Sequence, residues 1–400
     1  MEFFQKDGND YYIHTGFARF VESLSHHFDR IDVCVPVVPA GFFPFDGKKF
    51  TVKNTRIVEL PNLFGLWNCH KNAISAIKIL SRNLERWDLV SIRIPEPFDV
   101  FAYCAVAFHR KPIFIHVVAD GDVLRHSRIR RCNVITRFAG AVYSAIMGFL
   151  ERIMISRSLT IVNGSALYSK YHKPAGELYE IITSSYWDGE ISRTSARRYY
   201  APYRILYVGR FAEEKGIFDL LHVVKILHVQ GYDTILRLVG YPGEPNIEKD
   251  LKNSIDMLQI TDRVEFAGYR EIGKSLWEEY RDCHVFVLPS YSEGTPRVLL
   301  EAMSQGIPVI ATNTGSVTDV ITNGINGLVV QTGAPQQLAK AITKILDDHN
   351  LRNRLVGAGL ETARARSLAK STRSLINILI NSRKFAGFRL DSNLHVLSPR

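Results

Sequence analysis

The stretch LPSYSEGTPRVLLEAMSQGIPVIAT, residues 288–312, decides the fold class. An apolar run, His284–Pro289, ends in the polar loop Ser290–Gly294. Thr295 suits an N-cap and Pro296 the first helical position, so the spacing predicts a helix from Pro296 to Gln305. Gly306 stops that helix, and Pro308–Thr312 is a second apolar run. Strand, helix and strand in close succession are the crossover unit of a parallel sheet.

The same alternation extends outward in both directions. Upstream, strands are predicted at Arg204–Val208, Thr234–Val239 and Val264–Ala267, with helices at Ile217–Val229 and Asn246–Leu258. Downstream come a helix at Pro335–Asp348 and a helical tail, about Leu351–Arg383. In the first half, strands fit Ile31–Val38, Asp88–Ile94, Pro112–Val118 and Leu159–Asn163. Helices fit Phe17–His27, Ala73–Arg86, Phe98–Phe108 and Arg137–Ser156. A polar seam without apolar periodicity, SSYWDGEISRTSARRYY at 184–200, separates the two series. The expected organisation is α/β with parallel sheets: a domain over 1–185, a linker over 186–200, a second domain over 201–365 and a helical tail over 366–400. Ligands of open α/β sheets sit beyond the carboxyl ends of the strands, so function is expected in the post-strand loops.

Composition narrows the class. A chain of 400 residues that is 46% hydrophobic and 22% charged can bury a sizeable core, which excludes fibrous and disordered classes. Five scattered cysteines without a C-x-x-C pair argue against a disulfide scaffold or a cysteine zinc site and fit a reducing, cytoplasmic compartment. No apolar stretch reaches the ~18 residues of a membrane span. The start, MEFFQKDGNDYY, has no apolar signal core, which argues against secretion. Of the net charge of +10, residues 1–200 carry 26 Lys/Arg against 19 Asp/Glu, so +7. That excess suits an anionic partner for the first half. Nucleic acid is not favoured, because no helix-turn-helix, zinc or single-strand motif accompanies the charge.

Two constellations carry chemistry. In ILYVGRFAEEKGIFDLL, residues 205–221, a buried strand ends at Gly209-Arg210 and a helix begins near Gly216. A helix N-terminus with unpaired N–H groups, flanked by Arg210 and Lys215, is a pyrophosphate cradle; a tight turn with two solvated cations reads equally well. In residues 288–312, Glu293 lies in the loop before the helix and Glu301 inside it, both placed to face a ligand. A carboxylate accepts hydrogen bonds from paired sugar hydroxyls. The plainer readings are a first-turn acid for Glu293 and a solvated helix face for Glu301. The apolar flanks of Glu301 (Leu299, Leu300, Ala302, Met303) argue against the latter, since an embedded carboxylate needs a partner.

Arg210, Lys215, the E-x7-E pair Glu293/Glu301 and NGINGLVV at 323–330 resemble the donor-binding domain of the family 4 (group 1) retaining glycosyltransferases, over about residues 203–350. The resemblance implies a GT-B fold: two Rossmann-like domains facing a cleft, with the last helix returning to the first. It implies that Arg210 and Lys215, beside Gly209, hold the diphosphate of a nucleoside diphosphate sugar. Glu293 would contact the transferred sugar and Glu301 the ribose. Backbone at Gly294-Thr295 would approach the sugar, and Val298-Leu299 the ribose. Tyr269-Arg270 would bracket the base. Where the family often has Gly-Gly and then Glu, this chain has Gly315-Ser316 and Asp319. No dedicated metal or other cofactor is implied, and there is no Asp-x-Asp element of the metal-using type.

The first half resembles the family less closely. GFARFVESLSHHFDRIDVCVPV (16–37) is similar to its first helix and second strand, and VSIRIPEPFDVFAYCAVAF (90–108) to a segment of members that build bacterial surface polysaccharides. His116, ending a strand in FIHVVADGD, matches a region near donor sugar and acceptor; a packing role is as good a reading. Asp120 and Asp122 read as acceptor contacts or as turn residues beside Gly121. The usual apolar first strand is short or missing here, which leaves Gly16 as the glycine for close approach on the acceptor side. The basic stretch Arg125–Arg137 followed by apolar Phe138–Leu150 reads either as a membrane-surface element or as a solvated loop and a core helix.

The expected function is transfer of a sugar, with retention, from a nucleoside diphosphate sugar to a saccharide or lipid-linked acceptor of capsule, O-antigen or exopolysaccharide synthesis. The alternatives are an inactive homologue that partners another transferase and, on weaker grounds, a nucleotide-sugar epimerase. The expected location is the cytoplasm, with a peripheral contact on the inner membrane as an open reading.

Overall fold

A computed structural model of the chain describes residues 3–39, 47–96, 98–123, 125, 134–172, 176–193 and 199–385. The chain forms two compact units, Met1–Ile181 with Thr372–Arg400, and Ile182–Ser371.

In the first unit, β1 (Phe4–Asp7), β2 (Asp10–Ile13), β3 (Ile31–Pro39), β4 (Lys48–Lys49) and β5 (Thr55–Leu60) form one sheet in the order β4-β2-β1-β3-β5. The first strand is present but only four residues long. It pairs in parallel with β3 (Phe4 opposite Val37) and buries Phe4 completely. Two pairings depart from the parallel arrangement: β2 runs antiparallel to β1 and β4 antiparallel to β2. The cause is local. Gly8-Asn9 is a two-residue hairpin loop, with Gly8 at φ +57°, a left-handed conformation that costs glycine little. A second sheet, wholly parallel, comprises β6 (Val90–Ile94), β7 (Ile113–Val117), β8 (Leu159–Asn163) and β9 (Glu177–Ile181). In the last described α-helix, Leu368–Asn381, the side chains of Leu375, Ile376 and Leu379 pack on Phe114, Leu159 and Ile161 of this sheet.

The second unit is built on six parallel strands: β10 (Tyr203–Val208), β11 (Thr234–Val239), β12 (Val264–Gly268), β13 (Val285–Leu288), β14 (Val309–Thr312) and β15 (Leu328–Val330). Their order is β12-β11-β10-β13-β14-β15, the doubly wound Rossmann arrangement. Both faces are covered, which is why the central strands read as continuous apolar runs. Along β10, Ile205 and Tyr207 enter one core and Leu206 and Val208 the other. Residues 184–193, expected in part as linker, pack into this unit. Tyr186 is fully buried and donates to the Ala363 carbonyl at 3.0 Å, and the Ser192 N–H donates to the Ser304 carbonyl at 2.8 Å.

Candidate functional site

In a doubly wound sheet the strand order reverses once, and the loops that leave the two strands at that point diverge to open a crevice. Here the reversal lies between β10 and β13, which pair in parallel (Ile205 opposite Val285). The loop after β10 carries Gly209, Arg210 and Lys215; the loop after β13 carries Glu293 and Gly294. Both candidate motifs therefore arrive at one place, although some 80 residues separate them in the chain.

The two loops are locked together through the backbone. The Tyr291 N–H donates to the Glu214 carbonyl at 2.8 Å. Gly216 caps the Ile217–Val229 helix at φ +65°, and a Cβ built there would stand 2.1 Å from the Pro289 carbonyl oxygen. Only glycine satisfies both the dihedral and the space. Fully buried Tyr207 donates from its hydroxyl to the Arg210 carbonyl at 2.8 Å, and its burial pushes the phenol pKa far up, so it stays a donor. On the far side, a Cβ at Gly315 would stand 1.9 Å from the Glu293 carbonyl oxygen, and the Ser316 N–H donates to the Gly294 carbonyl at 3.2 Å. The Gly315-Ser316 turn is thus the floor under the Glu293 loop.

The charged side chains are arranged on this frame. Lys215 Nζ lies 2.8 Å from Glu293 Oε1 and 3.4 Å from the Ser292 carbonyl oxygen. Ser290 donates to the same Glu293 oxygen at 2.6 Å. Arg210, half exposed, holds Glu214 at 2.6 Å. Beside them the Ile217–Val229 helix begins at Gly216 with no side-chain cap, which sets the positive end of its dipole next to Lys215. Two cations, a helix N-terminus and one carboxylate held by a lysine can take up a diphosphate and orient a polyol.

Glu301 corrects the expectation that it simply faces a ligand. It is only 4% exposed, and both its oxygens already have donors: Ser185 to Oε1, and Tyr280 to Oε2 at 3.1 Å. Ser185 and Tyr280 were not singled out in the sequence. Nothing local to Glu301 points to them, although the apolar flanks do demand a partner. Burial together with Glu301 drives the Tyr280 pKa well up. The helix that carries Glu301 spans Arg297–Ser304. Thr295 is not its N-cap: Pro296 holds that position at ψ 88°, and no side chain caps the helix. Leu299 is buried in the core, and the Val298 carbonyl lies 3.4 Å from the Tyr280 hydroxyl.

Tyr269 and Arg270 follow β12. Tyr269 meets Tyr241 edge-on, with centroids 5.8 Å apart, and burial pushes its hydroxyl up to about 12. Arg270 is anchored through Nε to Glu279 at 2.9 Å. Glu279 also holds the Arg237 fork. Burial would raise the Glu279 pKa, but the two guanidiniums outweigh it and hold the carboxyl below its ordinary 4.5.

Gly16, His116 and Asp120 belong to the first unit. Gly16 is the second residue of the Thr15–Ser25 helix, where its N–H donates to His14 Nδ1 at 3.2 Å. His116 is the fourth of five residues in β7 rather than its end, is 3% exposed, and lies 5.9 Å from the Phe20 ring. Asp120 and Asp122 both receive Lys170 Nζ, at 2.5 and 2.7 Å. Arg125 joins Asp122 to buried Glu151. Residues 126–133 of the expected basic stretch lie outside the described residues.

Residues 190–362 match the family described as glycosyl transferases group 1. The capsular polysaccharide biosynthesis glycosyltransferase CapM of Staphylococcus aureus is 32% identical over 149 residues, covering 36% of this chain and 37% of CapM. The lipopolysaccharide core biosynthesis glycosyltransferase LpsE of Rhizobium meliloti is 34% identical over 159 residues, 40% of this chain and 44% of LpsE. The matched part of the chain thus spans about two fifths of the length of these curated relatives. Over nearly the whole chain, the structure of Anabaena Alr3699/HepE in complex with UDP superposes with a TM-score of 0.69 at 17% identity, covering 95% of this chain and 99% of that one. The fold is α/β GT-B, and the similarity to the group 1 glycosyl transferases extends over residues 190–362.

Proposed function

We propose that the protein is a retaining glycosyltransferase that moves a sugar from a nucleoside diphosphate sugar to a hydroxyl of a saccharide or lipid-linked saccharide in surface-polysaccharide synthesis. The observation that carries this reading is the convergence of Lys215, Arg210 and an uncapped helix N-terminus on the loop of Glu293 at the sheet's reversal point. HepE, similar in fold, has been solved with UDP and with UDP-glucose, and CapM and LpsE are named for capsule and lipopolysaccharide synthesis.

In the proposed reaction the anomeric C–O bond to the diphosphate breaks while the acceptor oxygen forms its bond on the same face. The acceptor proton passes to a departing phosphate oxygen. Negative charge grows on the diphosphate as the bond breaks, and Lys215, Arg210 and the helix N-terminus stabilise it. Glu293, relieved of Lys215, accepts hydrogen bonds from the sugar hydroxyls. Glu301 exchanges its Ser185 and Tyr280 donors for those of the ribose. Tyr269 and Arg270 border the base, His116 and Asp120 serve the acceptor side, and no dedicated metal is needed.

The test is thermal stabilisation by UDP, GDP, ADP and their sugars. A ligand at 100 times its dissociation constant adds about 2.7 kcal/mol. One nucleotide raises the melting temperature of the wild type and not of Glu301→Ala. No shift with any nucleotide overturns the reading.

A further inference from the structure

We propose that the Val134–Arg157 helix of the first unit docks on an anionic lipid surface through its outward face. Four large apolar side chains stand open on this helix: Phe138, Val142, Ile146 and Phe149, at 74%, 46%, 54% and 64% exposure. Their spacing of four, four and three residues puts them on one stripe, about 16 Å long. A continuous exposed apolar stripe marks an interaction surface, whereas single exposed residues do not.

The helix turns its acid inward along with its core residues. Its inward face carries Ser144 and Glu151, buried and bound by Arg125 at 3.2 and 2.5 Å, together with Met154 and Ile155 in the core of the parallel sheet. Contrary to the expectation that no stretch reaches the length of a membrane span, Arg137–Arg157 is by length and composition apolar enough to cross one. With one face committed to the core and its acid tied to Arg125, it instead lies along a surface.

Charge identifies the occupant. Arg137, Arg152 and Arg157 are exposed, and the only acid on the helix is the buried Glu151. Two copies of this helix face to face would set arginines against arginines, with no exposed acid on either. A surface of acidic headgroups over acyl chains offers both an apolar layer for the stripe and charge for the arginines. The inference does not rest on the transferase reading.

The experiment is co-sedimentation of the full chain with vesicles of phosphatidylcholine alone and with about one third phosphatidylglycerol. Partition into the anionic vesicles is expected to be at least about tenfold stronger and to fall with added salt. The double variant Phe138→Ser/Phe149→Ser loses at least about tenfold. Met257→Ser, a 78% exposed apolar position in the second unit, changes nothing. Both side chains of the double variant are open to water, and an unchanged melting temperature verifies its fold. Failure to bind either vesicle, equal binding by the double variant, or a solution dimer that the double variant splits would each overturn the proposal.

Discussion

Lys215→Ala separates a ligand-binding role for Lys215 from a structural one. The Lys215 side chain is 22% exposed and that of Glu293 10%, so their ion pair sits at the edge of the solvent-screened regime. Removing the lysine leaves Glu293 with the Ser290 hydroxyl at 2.6 Å, so the carboxylate keeps a donor. A partly exposed pair of this kind contributes about 1 kcal/mol, which in a unit of this size lowers the melting temperature by about 2–4 °C. Against a diphosphate the same ammonium has more leverage, because the charge it faces grows as the sugar–phosphate bond breaks. Loss of one preorganised electrostatic contact of that type costs about 2.7–4 kcal/mol in the transition state, or about 100- to 1,000-fold in rate. The assay is release of nucleoside diphosphate from the sugar donor that stabilises the protein, with calorimetry alongside. A rate within about threefold of wild type would refute the assignment of Lys215 to the leaving group. A melting temperature lowered by 10 °C or so would refute the claim that Ser290 keeps Glu293 satisfied.

Two further outcomes follow from the second unit. Gly216→Ala combines a left-handed dihedral with a Cβ placed 2.1 Å from the Pro289 carbonyl oxygen, and is expected to cost on the order of 3 kcal/mol in urea unfolding. Gly231→Ala, at φ +85° with nothing within 4 Å, costs only about 1 kcal/mol, so equal losses would refute the packing argument. The pKa of Glu279 is lower in the folded protein than in the unfolded chain, so the stability it contributes is present above its ordinary 4.5 and lost as the pH falls through the lower folded value. The loss on acidification, measured by urea unfolding at about pH 7 and about pH 3, is smaller in Glu279→Gln; an unchanged loss would show that the Arg237 and Arg270 pairs do not matter.

The second half of the chain was the more legible one. Its strands are apolar runs bounded by glycine and proline, and each candidate residue sits one to seven residues beyond a strand or inside the helix that follows, where short-range rules hold. In the first half the same rules failed at β2 and β4. The Gly8-Asn9 dipeptide does carry a hairpin signal, but the flanking strands are too short and too polar for alternation to register. The Phe138–Leu150 run could not be resolved either, because a segment apolar on every side has no periodicity to show which face the core takes.

By itself the sequence determined the alternation of strands and helices and the loops that hold Arg210, Lys215 and Glu293. These depend on neighbours a few residues apart. Only the tertiary structure decided that β10 lies beside β13, which brings Lys215 to within 2.8 Å of Glu293. Only it supplied Ser185 and Tyr280 as donors to Glu301, and turned Ser144 and Glu151 inward while leaving Phe138 and Phe149 in water. Strand order and helix facing depend on which surfaces exclude water together, and a partner 116 residues away leaves no periodic trace in the chain.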